Sequence, residues 1–374
     1  MSGKIAVIGA GSWGTTVASL AAANAPTVLW ARHAAVVTSI LEPRANPAYL
    51  PGIELPADLG ATADLDDAVD GADLVVMAVP SHGFRDVFAT LAPSMPAGTP
   101  VLSLTKGLEQ GSQLRMTEII EAVRPGTVTG MLTGPNLASE VAAGQPTAAL
   151  VAIPDESLAT WIQGLLMSPT FRVYTSPDVI GCEIAGAAKN VLAVAAGISD
   201  GLGFGDNTRA ALITRGLAEM GRLGVAIGAD PMTFAGLAGV GDLVATCTST
   251  RSRNRTVGFA LGRGRTLEQI LGEMHMVAEG VKTARPVVEL AAARGVELPI
   301  ATEVVAVIDG TRTPTSAMAE LMLRPATAEL PHSGSHSGSH SGAHSGPFGV
   351  GQPGTHPTGA AVAPPPAAPG RQPV

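Results

Sequence analysis

The chain has 374 residues, of which 46% are hydrophobic and 14% charged, enough for two domains with buried cores and unlike a chain that is disordered throughout. Its net charge of −8 argues against nucleic acid or an anionic membrane as the main partner, and no apolar run reaches the ~18–20 residues of a membrane-spanning helix. The two cysteines are too few for a disulfide framework or a four-thiolate zinc site, so we expect a cytoplasmic protein.

Short apolar runs alternate with helix-compatible segments from Lys4 to about Tyr174. This alternation is typical of a parallel sheet covered by helices. The runs are apolar throughout rather than at every second residue, which fits strands buried on both faces. The predicted strands are Ile5–Ile8, Thr27–Trp30, Leu74–Val79, Val101–Leu104, Val128–Leu132 and Ala148–Val151.

Strand-like runs disappear after about Asp178, and the stretches Glu183–Ile198 and Thr208–Ile227 carry apolar residues at helical spacing. We therefore predict an α/β domain over residues 1–177 and an all-α domain over residues 178–328.

Residues 329–374 form a third segment, rich first in His, Ser and Gly and then in Pro. We expect this tail to be disordered, because it has almost no large apolar side chain to bury. Histidines recur in it at every fourth position, and a low-complexity tail of this kind has incidental affinity for metals rather than a built metal site. These histidines are His332, His336, His340 and His344.

Three glycines, Gly9, Gly11 and Gly14, follow the first predicted strand directly. In the pattern G-x-G-x-x-G the first glycine permits a tight turn, the second lets a pyrophosphate approach the backbone, and the third lets the helix pack on the strand. A turn without a nucleotide is the alternative. The strand before it and the helix-compatible run after it favour a Rossmann-like dinucleotide-binding domain.

The second predicted strand ends in Trp30-Ala31-Arg32-His33. Domains that prefer NAD usually place Asp or Glu here to bind the ribose hydroxyls. Arg32 could instead pair with the 2′-phosphate of NADP, although a solvated loop residue would look the same. The cofactor is therefore NADP or NAD, with NADP favoured or at least tolerated.

Two features of the predicted helical domain suggest chemistry. Lys189 lies in a run of Ala, Gly, Val and Leu, where a buried ammonium group needs a partner and could transfer a proton. A structural lysine that extends to solvent is the alternative. Five arginines and no acid lie between Thr246 and Leu267, as a phosphate site would require, although a solvent-exposed basic turn has the same composition.

Several motifs in both halves resemble the bacterial NAD(P)-dependent glycerol-3-phosphate dehydrogenases, in the order in which that family has them. The resemblance covers about residues 4–323 and leaves out the tail. It is carried by the motifs GAGSWG at 9–14, LTKGL at 104–108, GPNLASE at 134–140, Lys189-Asn190, NTRAALITRG at 207–216 and Ser252-Arg253-Asn254.

This resemblance implies reduction of dihydroxyacetone phosphate to sn-glycerol 3-phosphate, for phospholipid synthesis, with Lys189 as the catalytic acid and base. It implies that the substrate is bound by Lys106, Gly134, Asn136, Lys189, Asp242, Ser252, Arg253 and Asn254. The dinucleotide would be bound by Gly9, Gly11, Ser12, Trp13, Gly14, Arg32, His33, Lys106, Ala138, Arg253, Val277 and Glu279.

Asn136 departs from the family, which more often has Ser or Thr at this position, so we expect altered rather than lost binding. No metal is required, and we expect a homodimer. Two other functions remain open on the residues alone. A related β-hydroxyacid dehydrogenase would recognise a carboxylate instead of a phosphate, and a non-catalytic nucleotide sensor would have no use for Lys189.

Overall fold

The structure is a computed structural model and describes residues 3–274, 277–325 and 329. Short, mostly buried runs rich in Val, Ile, Leu and Ala form its central strands, as their apolar character predicts. The strands are β1 (Ile5–Ile8), β2 (Thr27–Trp30), β3 (Ala45–Asn46), β4 (Leu50–Glu54), β5 (Leu59–Thr62), β6 (Leu74–Met77), β7 (Val101–Ser103), β8 (Thr129–Thr133), β9 (Thr147–Ala152) and β10 (Phe171–Ser176).

Eight strands form one sheet in the order β10-β9-β8-β7-β6-β1-β2-β5. Alternate residues of β1 enter different apolar clusters, Ile5 and Val7 in one and Ala6 and Ile8 in another, so both faces of the sheet are covered. The carboxyl ends of β1, β2, β6, β7 and β8 lie at one edge, because all pairs between them are parallel. Dinucleotides bind at this edge in folds of this class.

The sheet departs from the sequence prediction at one pair of neighbours. β8 and β9 are antiparallel. Residues 134–146, which connect them, contain only a five-residue helix, too short for the helical crossover that joins parallel neighbours. The prediction of a parallel sheet is therefore wrong for the pairing of β9 with β8, while β9 and β10 pair parallel with each other.

Four strands were not predicted from the sequence. β3 and β4 form a separate antiparallel hairpin, and β5 and β10 are the two edges of the main sheet. β5 reads LGAT, and β10 exposes alternate residues such as Arg172 and Tyr174. Neither strand has the continuous apolar character that marks the strands between them.

The helices of the first half fill the connections between strands, and those of the second half follow one another directly. They are α1 (Ser12–Ala22), α2 (Ala34–Leu41), α3 (Leu65–Val69), α4 (Ser81–Leu91), α5 (Met116–Val123), α6 (Ala138–Ala142), α7 (Glu156–Leu166), α8 (Val179–Gly201), α9 (Asp206–Ala226), α10 (Pro231–Ala235), α11 (Asp242–Thr248), α12 (Arg253–Gly262), α13 (Leu267–Glu273), α14 (Glu279–Ala293), α15 (Pro299–Ile308) and α16 (Pro314–Met322). A 3₁₀ turn spans Ala92–Ser94, and a π-helical turn spans Leu237–Gly241.

α8 is the central helix of the second half. It packs against α9, α11, α12, α14 and α15, and it is apolar almost all round because it is covered on every side. Within the described residues it alone has the length and apolar character of a membrane-spanning helix, yet 94% of its most apolar 18-residue window is buried inside the protein. α8 is therefore a core helix of this fold.

Glycines allow α8 and α12 to approach closely. A Cβ on Gly258 would overlap the carbonyl oxygen of Val194, and one on Gly197 would overlap that of Arg255. Gly201 and Gly262 continue the same contact one turn further along. Because backbone packs directly on backbone here, the N-terminus of α12 is held at a fixed distance from the middle of α8.

The architecture confirms the predicted fold class, a Rossmann-like sheet half followed by an all-α half. Residues up to Arg324 belong to one compact unit. The predicted domain boundaries at 177 and 328 stay predictions. Residues 330–374, with the histidine repeat, lie outside the described residues, as do 326–328 at the end of the predicted helical domain.

The contact between α8 and α12 yields a stability prediction. Gly258→Ala places a methyl group against the Val194 carbonyl, so we expect the free energy of unfolding to fall by about 2 kcal/mol or more. Gly164→Ala is the matched control, because it lies inside α7 with nothing within 4 Å of its added Cβ. This control should leave stability unchanged or raise it by up to about 1 kcal/mol. Urea unfolding of both variants measures the difference, and equal stabilities would contradict the packing.

Candidate active site

The glycine-rich turn connects β1 to α1 at the carboxyl edge of the sheet. Gly9 has a φ of +118°, a conformation that side chains other than glycine rarely adopt. A Cβ on Gly9 would lie 2.7 Å from the carbonyl oxygen of Ala78, and one on Gly14 would overlap the carbonyl oxygen of Gly9. A Cβ on Gly11 would meet nothing within 4 Å. The first and third glycines are therefore required by packing, and the second borders open space.

The residues next to the turn are anchored to the rest of the sheet half. The Ser12 hydroxyl donates to the carbonyl oxygen of Tyr49 at 2.7 Å. The Trp13 ring lies 6.3 Å from the ring of Phe171, and its buried Nε1 has no hydrogen-bond partner among the described residues. Ala138 begins α6, and its carbonyl oxygen accepts a hydrogen bond from Thr16 of α1. A buried N–H without an acceptor beside a glycine-rich turn fits a site that a polar ligand completes.

Arg32 and His33 follow β2 at the same edge of the sheet, and both are exposed. His33 precedes α2 as its N-cap residue in an extended conformation. Arg32 makes no ion pair among the described residues. Its guanidinium is accessible to an anion at the end of the second strand.

The turns after β7 and β8 bring Lys106 and Gly134 together. The Lys106 ammonium donates to the Gly134 carbonyl oxygen at 2.9 Å. Gly134 has a φ of +120°, which favours glycine there. Asn136 donates to the carbonyl oxygen of Ala148 at 3.1 Å, while its buried Oδ1 has no partner within the described part of the chain.

Lys189, Asp242 and Lys106 form a buried ion network. One carboxylate oxygen of Asp242 lies 2.5 Å from Lys189 Nζ, and the other lies 2.7 Å from Lys106 Nζ. The side chains of Lys189 and Asp242 are 7% and 2% exposed, and that of Lys106 is 14% exposed. The network joins α8, α11 and the turn after β7, so it depends on both halves of the fold.

The surroundings of the network shift the pKa values of its members. Burial lowers the pKa of Lys189 to about 8, although Asp242 partly offsets the effect. Burial alone would raise the pKa of Asp242, but the ammonium groups of Lys106 and Lys189 outweigh it and hold that pKa below its usual value. Two cations share one anion in a low-dielectric site, which leaves a net positive charge where an anion or a developing oxyanion can be stabilised.

The π-helical turn and the short helix after it determine where Asp242 lies. Asp242 is the first residue of α11, directly after the turn Leu237–Gly241. Thr246 lies one helical turn further on, so its hydroxyl is on the same face and lies 2.8 Å from Lys189 Nζ. Thr246 therefore holds the lysine together with Asp242.

α12 begins beside this network. The Ser252 hydroxyl accepts from the Arg255 N–H and caps the helix. Asn254 donates to Asn190 Oδ1 at 2.8 Å, and Asn190 donates to the Lys106 carbonyl oxygen at 2.9 Å. This chain of amides fixes the N-terminus of α12 relative to Lys106.

Arg253 is exposed to solvent, and no hydrogen bond or ion pair of its side chain is found among the described residues. Desolvation by the surrounding protein nevertheless lowers its pKa, with Glu279 opposing the shift. Its guanidinium is a cation without an ion-pair partner among the described residues, at the N-terminus of α12.

The start of α14 contacts both the sheet half and α12. Glu279 is the first residue of α14, and its carboxylate accepts from the Ser81 N–H at 3.1 Å and from the Ser81 hydroxyl at 2.5 Å. Ser81 is the first residue of α4, the helix that follows β6. The Gly280 N–H donates to Asn254 Oδ1. Val277 lies half-buried just before the helix. The start of α14 thus contacts the sheet edge through Ser81 and contacts α12 through Asn254.

The structure brings the sequence-predicted residues into three adjoining places. The predicted substrate residues contact one another directly or through Asn190, and Asn136 joins them through its N–H, which donates to the Gly134 carbonyl oxygen at 2.8 Å. Ser252 and Arg253 lie next to Asn254 in the chain and make no side-chain hydrogen bond to the other predicted substrate residues, all of which the structure describes. The turn residues lie at the carboxyl end of β1, and Arg32 and His33 lie at that of β2.

Sequence reasoning assigned no role to Asn190, Thr246 or Ser81. Two of them left a signal in the sequence: Thr246 follows Asp242 at helical spacing, and Ser81 lies just beyond the buried strand β6, at the start of α4. Among the described residues, no group of three or more His, Cys, Asp or Glu side chains could hold a metal ion.

A glycine-rich turn at the edge of a mainly parallel sheet, followed by a helical half that carries a buried lysine and an exposed arginine, is the arrangement of a dinucleotide-dependent dehydrogenase. The family model for the N-terminus of NAD-dependent glycerol-3-phosphate dehydrogenase matches residues 4–159, and the model for the C-terminus of the same enzymes matches residues 178–319. The chain belongs to the NAD-dependent glycerol-3-phosphate dehydrogenase family.

Bacterial proteins with the same enzyme name are similar to this chain in sequence and in structure. The chain is 54% identical over 310 residues to glycerol-3-phosphate dehydrogenase [NAD(P)+] 2 of Sphingopyxis alaskensis. This alignment covers 83% of this chain and 93% of the relative. It is 50% identical over 329 residues to glycerol-3-phosphate dehydrogenase [NAD(P)+] of Streptomyces coelicolor, with 87% and 98% of the two chains covered. The crystal structure of glycerol-3-phosphate dehydrogenase from Coxiella burnetii superposes with a TM-score of 0.83 at 38% identity, covering 86% of this chain and 99% of that one.

The buried ion network leads to a prediction that needs no substrate. Asp242→Asn removes the anion between two ammonium groups, so we expect the free energy of unfolding at neutral pH to fall by about 3 kcal/mol or more. Asp206→Asn is the matched control, because the side chain of Asp206 is 94% exposed and pairs with Arg209 at the surface. This control should change stability by less than about 1 kcal/mol. Denaturant unfolding that showed similar small losses in both variants would contradict the network.

Proposed function

We propose that this protein reduces dihydroxyacetone phosphate to sn-glycerol 3-phosphate, reversibly, with NADH or NADPH, and that it does so at the Lys189–Asp242–Lys106 network. The observation that carries the proposal is the buried ammonium of Lys189, held by Asp242 and Thr246, with the N-terminus of α12 fixed next to it through the contact between Asn254 and Asn190. The product is the glycerol phosphate required for phospholipid synthesis. A coupled assay with dihydroxyacetone phosphate and either cofactor tests the activity.

The dinucleotide fits the residues at the carboxyl edge of the sheet. The close packing at Gly9 and Gly14 and the open space beside Gly11 suit a bound pyrophosphate at the N-terminus of α1. The exposed guanidinium of Arg32 can pair with the 2′-phosphate of NADP. The other residues that would hold the dinucleotide are Ser12, Trp13, His33, Lys106, Ala138, Arg253, Val277 and Glu279. When bound, the cofactor supplies the hydride.

Lys189 is the proton donor in ketone reduction and the proton acceptor in alcohol oxidation. Its ammonium group stabilises the negative charge that develops on the carbonyl oxygen and then donates its proton to that oxygen. Asp242 and Thr246 fix the position of Nζ. Asp242 also fixes Lys106, and this second ammonium group adds positive charge beside the reacting oxygen.

The phosphate of the substrate is bound by the N-terminus of α12. The unpaired guanidinium of Arg253 supplies a charge-assisted hydrogen bond, and Ser252 and Asn254 supply polar groups beside it. Gly134, whose carbonyl oxygen accepts from Lys106, and Asn136, whose N–H donates to Gly134, border the same space. The distance between this phosphate site and Lys189 then orients the C2 carbonyl.

We propose three further properties with this function. Residues 1–177 form the dinucleotide-binding domain and residues 178–328 the α-helical substrate and catalytic domain, and each contributes some residues to the other's ligand. The protein acts as a homodimer, and it works in the cytoplasm, where its cofactor and its phosphorylated substrate are found. Bacterial relatives such as the Sphingopyxis alaskensis enzyme support the assignment of a small-molecule substrate.

The role of Lys189 predicts both a rate and a pH profile. Lys189→Met should lower kcat by roughly 10²–10⁴, while cofactor affinity stays nearly unchanged. In the wild type, oxidation of glycerol 3-phosphate should rise with pH through an apparent pKa of about 8, because the base must be neutral, and reduction should fall over the same interval. Steady-state kinetics between about pH 6 and 10, with chemistry rate-limiting, measure both.

The matched control for this experiment is Lys282→Met, which removes an exposed lysine and should leave kcat unchanged. Near-normal turnover of Lys189→Met, or a flat oxidation profile in the wild type, would remove Lys189 from the mechanism. Absence of turnover in the wild type, with NADPH still bound, would instead favour a nucleotide sensor, and preference for hydroxyacids would favour the related dehydrogenases.

The role of Arg253 predicts discrimination between phosphorylated and unphosphorylated substrates. Arg253→Ala should reduce kcat/KM for glycerol 3-phosphate by a factor of roughly 10–100, the loss of one charge-assisted hydrogen bond, and should affect glycerol far less. Arg263→Ala is the control, because Arg263 lies at the other end of α12 against Phe259. Equal decreases in kcat/KM for glycerol 3-phosphate and glycerol would mean that Arg253 stabilises the structure and does not bind the phosphate.

A further inference from the structure

The hairpin of β3 and β4 lies beside the glycine-rich turn, and one of its side chains holds that turn. Asn46, the last residue of β3, is 1% exposed. Its amide nitrogen lies 2.9 Å from the carbonyl oxygen of Ala10 and 2.8 Å from the hydroxyl oxygen of Thr15. These two acceptors stand on either side of Gly11, one in the turn and the other in the first turn of α1.

Chemistry fixes the orientation of the Asn46 amide. The carbonyl oxygen of Ala10 can only accept a hydrogen bond, so the NH₂ group and not Oδ1 must face it. The same NH₂ group has a second hydrogen, which the Thr15 hydroxyl accepts. Both donors of this buried amide are therefore used on the turn.

The peptide bond between Ala10 and Gly11 transmits this contact to the ligand side. The peptide group is planar and trans, so its C=O and N–H point in opposite directions. When Asn46 holds the Ala10 carbonyl, it also fixes the direction of the Gly11 N–H. A Cβ on Gly11 would meet nothing within 4 Å, so there is room for a ligand beside this residue.

A second contact ties the hairpin to the start of α1. The Ser12 hydroxyl donates to the carbonyl oxygen of Tyr49, between β3 and β4. The Thr15 N–H donates to the Gly11 carbonyl oxygen at 2.9 Å, so Asn46 binds both ends of the first helical turn. The hairpin thus fixes the position of the turn whose backbone N–H groups are the donors. Gly11 itself has no side chain that could do this.

We propose that Asn46 is a positioning residue for the dinucleotide: it orients the Ala10–Gly11 peptide so that the Gly11 N–H donates to the pyrophosphate. The proposal rests on the assignment of the turn as the pyrophosphate site in the function proposed above. Asn46 itself contacts no cofactor, and its contribution is to remove the freedom of the donor before binding.

The test compares two substitutions of Asn46 with a control in the same region. Asn46→Ala removes both hydrogen bonds, and Asn46→Asp keeps the size but opposes a carboxylate oxygen to the Ala10 carbonyl. Ser39→Ala is the control, because the Ser39 hydroxyl donates to the carbonyl oxygen of Ala45, next to Asn46, without touching the turn. Asn46→Asp decides the result if Asn46→Ala does not fold.

Calorimetric titration with NADPH should show a Kd about tenfold higher or more in both Asn46 variants, the scale of one charge-assisted hydrogen bond. The kcat at saturating NADPH should stay within about twofold of the wild type, because the Lys189 network is untouched. Adenosine 2′-phosphate, which has no pyrophosphate, should bind all variants within about threefold of the wild type. Ser39→Ala should bind NADPH as the wild type does.

The outcomes separate this inference from the proposed function. If the wild type does not bind NADPH, the proposed function fails. If the wild type binds NADPH and both folded Asn46 variants bind it within about twofold, the role of Asn46 is overturned. Equal losses for NADPH and adenosine 2′-phosphate, or an equal loss in Ser39→Ala, would also overturn it, because they would show general support of the hairpin rather than orientation of one peptide.

Discussion

The Asp242 carboxylate, held between the ammonium groups of Lys189 and Lys106, is the interaction on which the rest of the structure depends. A buried cation is stable only with a partner, and here the partners come from three separate parts of the chain: α8, α11 and the turn after β7. Lys189 and Asp242 pair within the helical half, and Lys106 joins them from the sheet half, so the network is complete only when the two halves are docked. The contact between Asp242 and Lys106 therefore joins the halves beside the proton donor, and the network leaves a local positive charge in a protein whose net charge is −8.

Close contacts between elements fix the positions of α12 and α14 around this network. Glycines let α12 approach α8, which places Asn254 within hydrogen-bonding distance of Asn190. The Glu279 carboxylate binds the backbone and side chain of Ser81 and holds the start of α14 against the sheet edge. Both contacts use buried or half-buried polar groups in rigid elements rather than long flexible side chains, so substrate and cofactor meet a site whose groups are already in place.

Much of this arrangement could be predicted from the sequence where a local pattern carries the information. β1 and β2 begin and end at the predicted residues, and the glycine-rich turn lies where its motif placed it. β5 and β10 were not predicted, because they are edge strands and lack the continuous apolar character of the strands between them. Lys189 was visible as a charge in an apolar run, but its partner lies 53 residues away along the chain, and no periodicity connects the two. Asp242 entered the predicted site only through resemblance to a family, and Asn46 did not enter it at all, because its contacts with Ala10 and Thr15 are tertiary.

The most direct test of the Lys189–Asp242–Lys106 network is the pKa of Lys189 in the intact protein. The chain has only four lysines, at positions 4, 106, 189 and 282, so lysine labelled with ¹³C and ¹⁵N gives a spectrum with few signals, and Lys189→Arg assigns the one of interest. Burial predicts that this signal titrates with a pKa of about 8. A Lys189 signal that titrates at the ordinary value of about 10.4 and does not move in Asp242→Asn would show that neither burial nor Asp242 acts on the ammonium group, and would contradict the buried network.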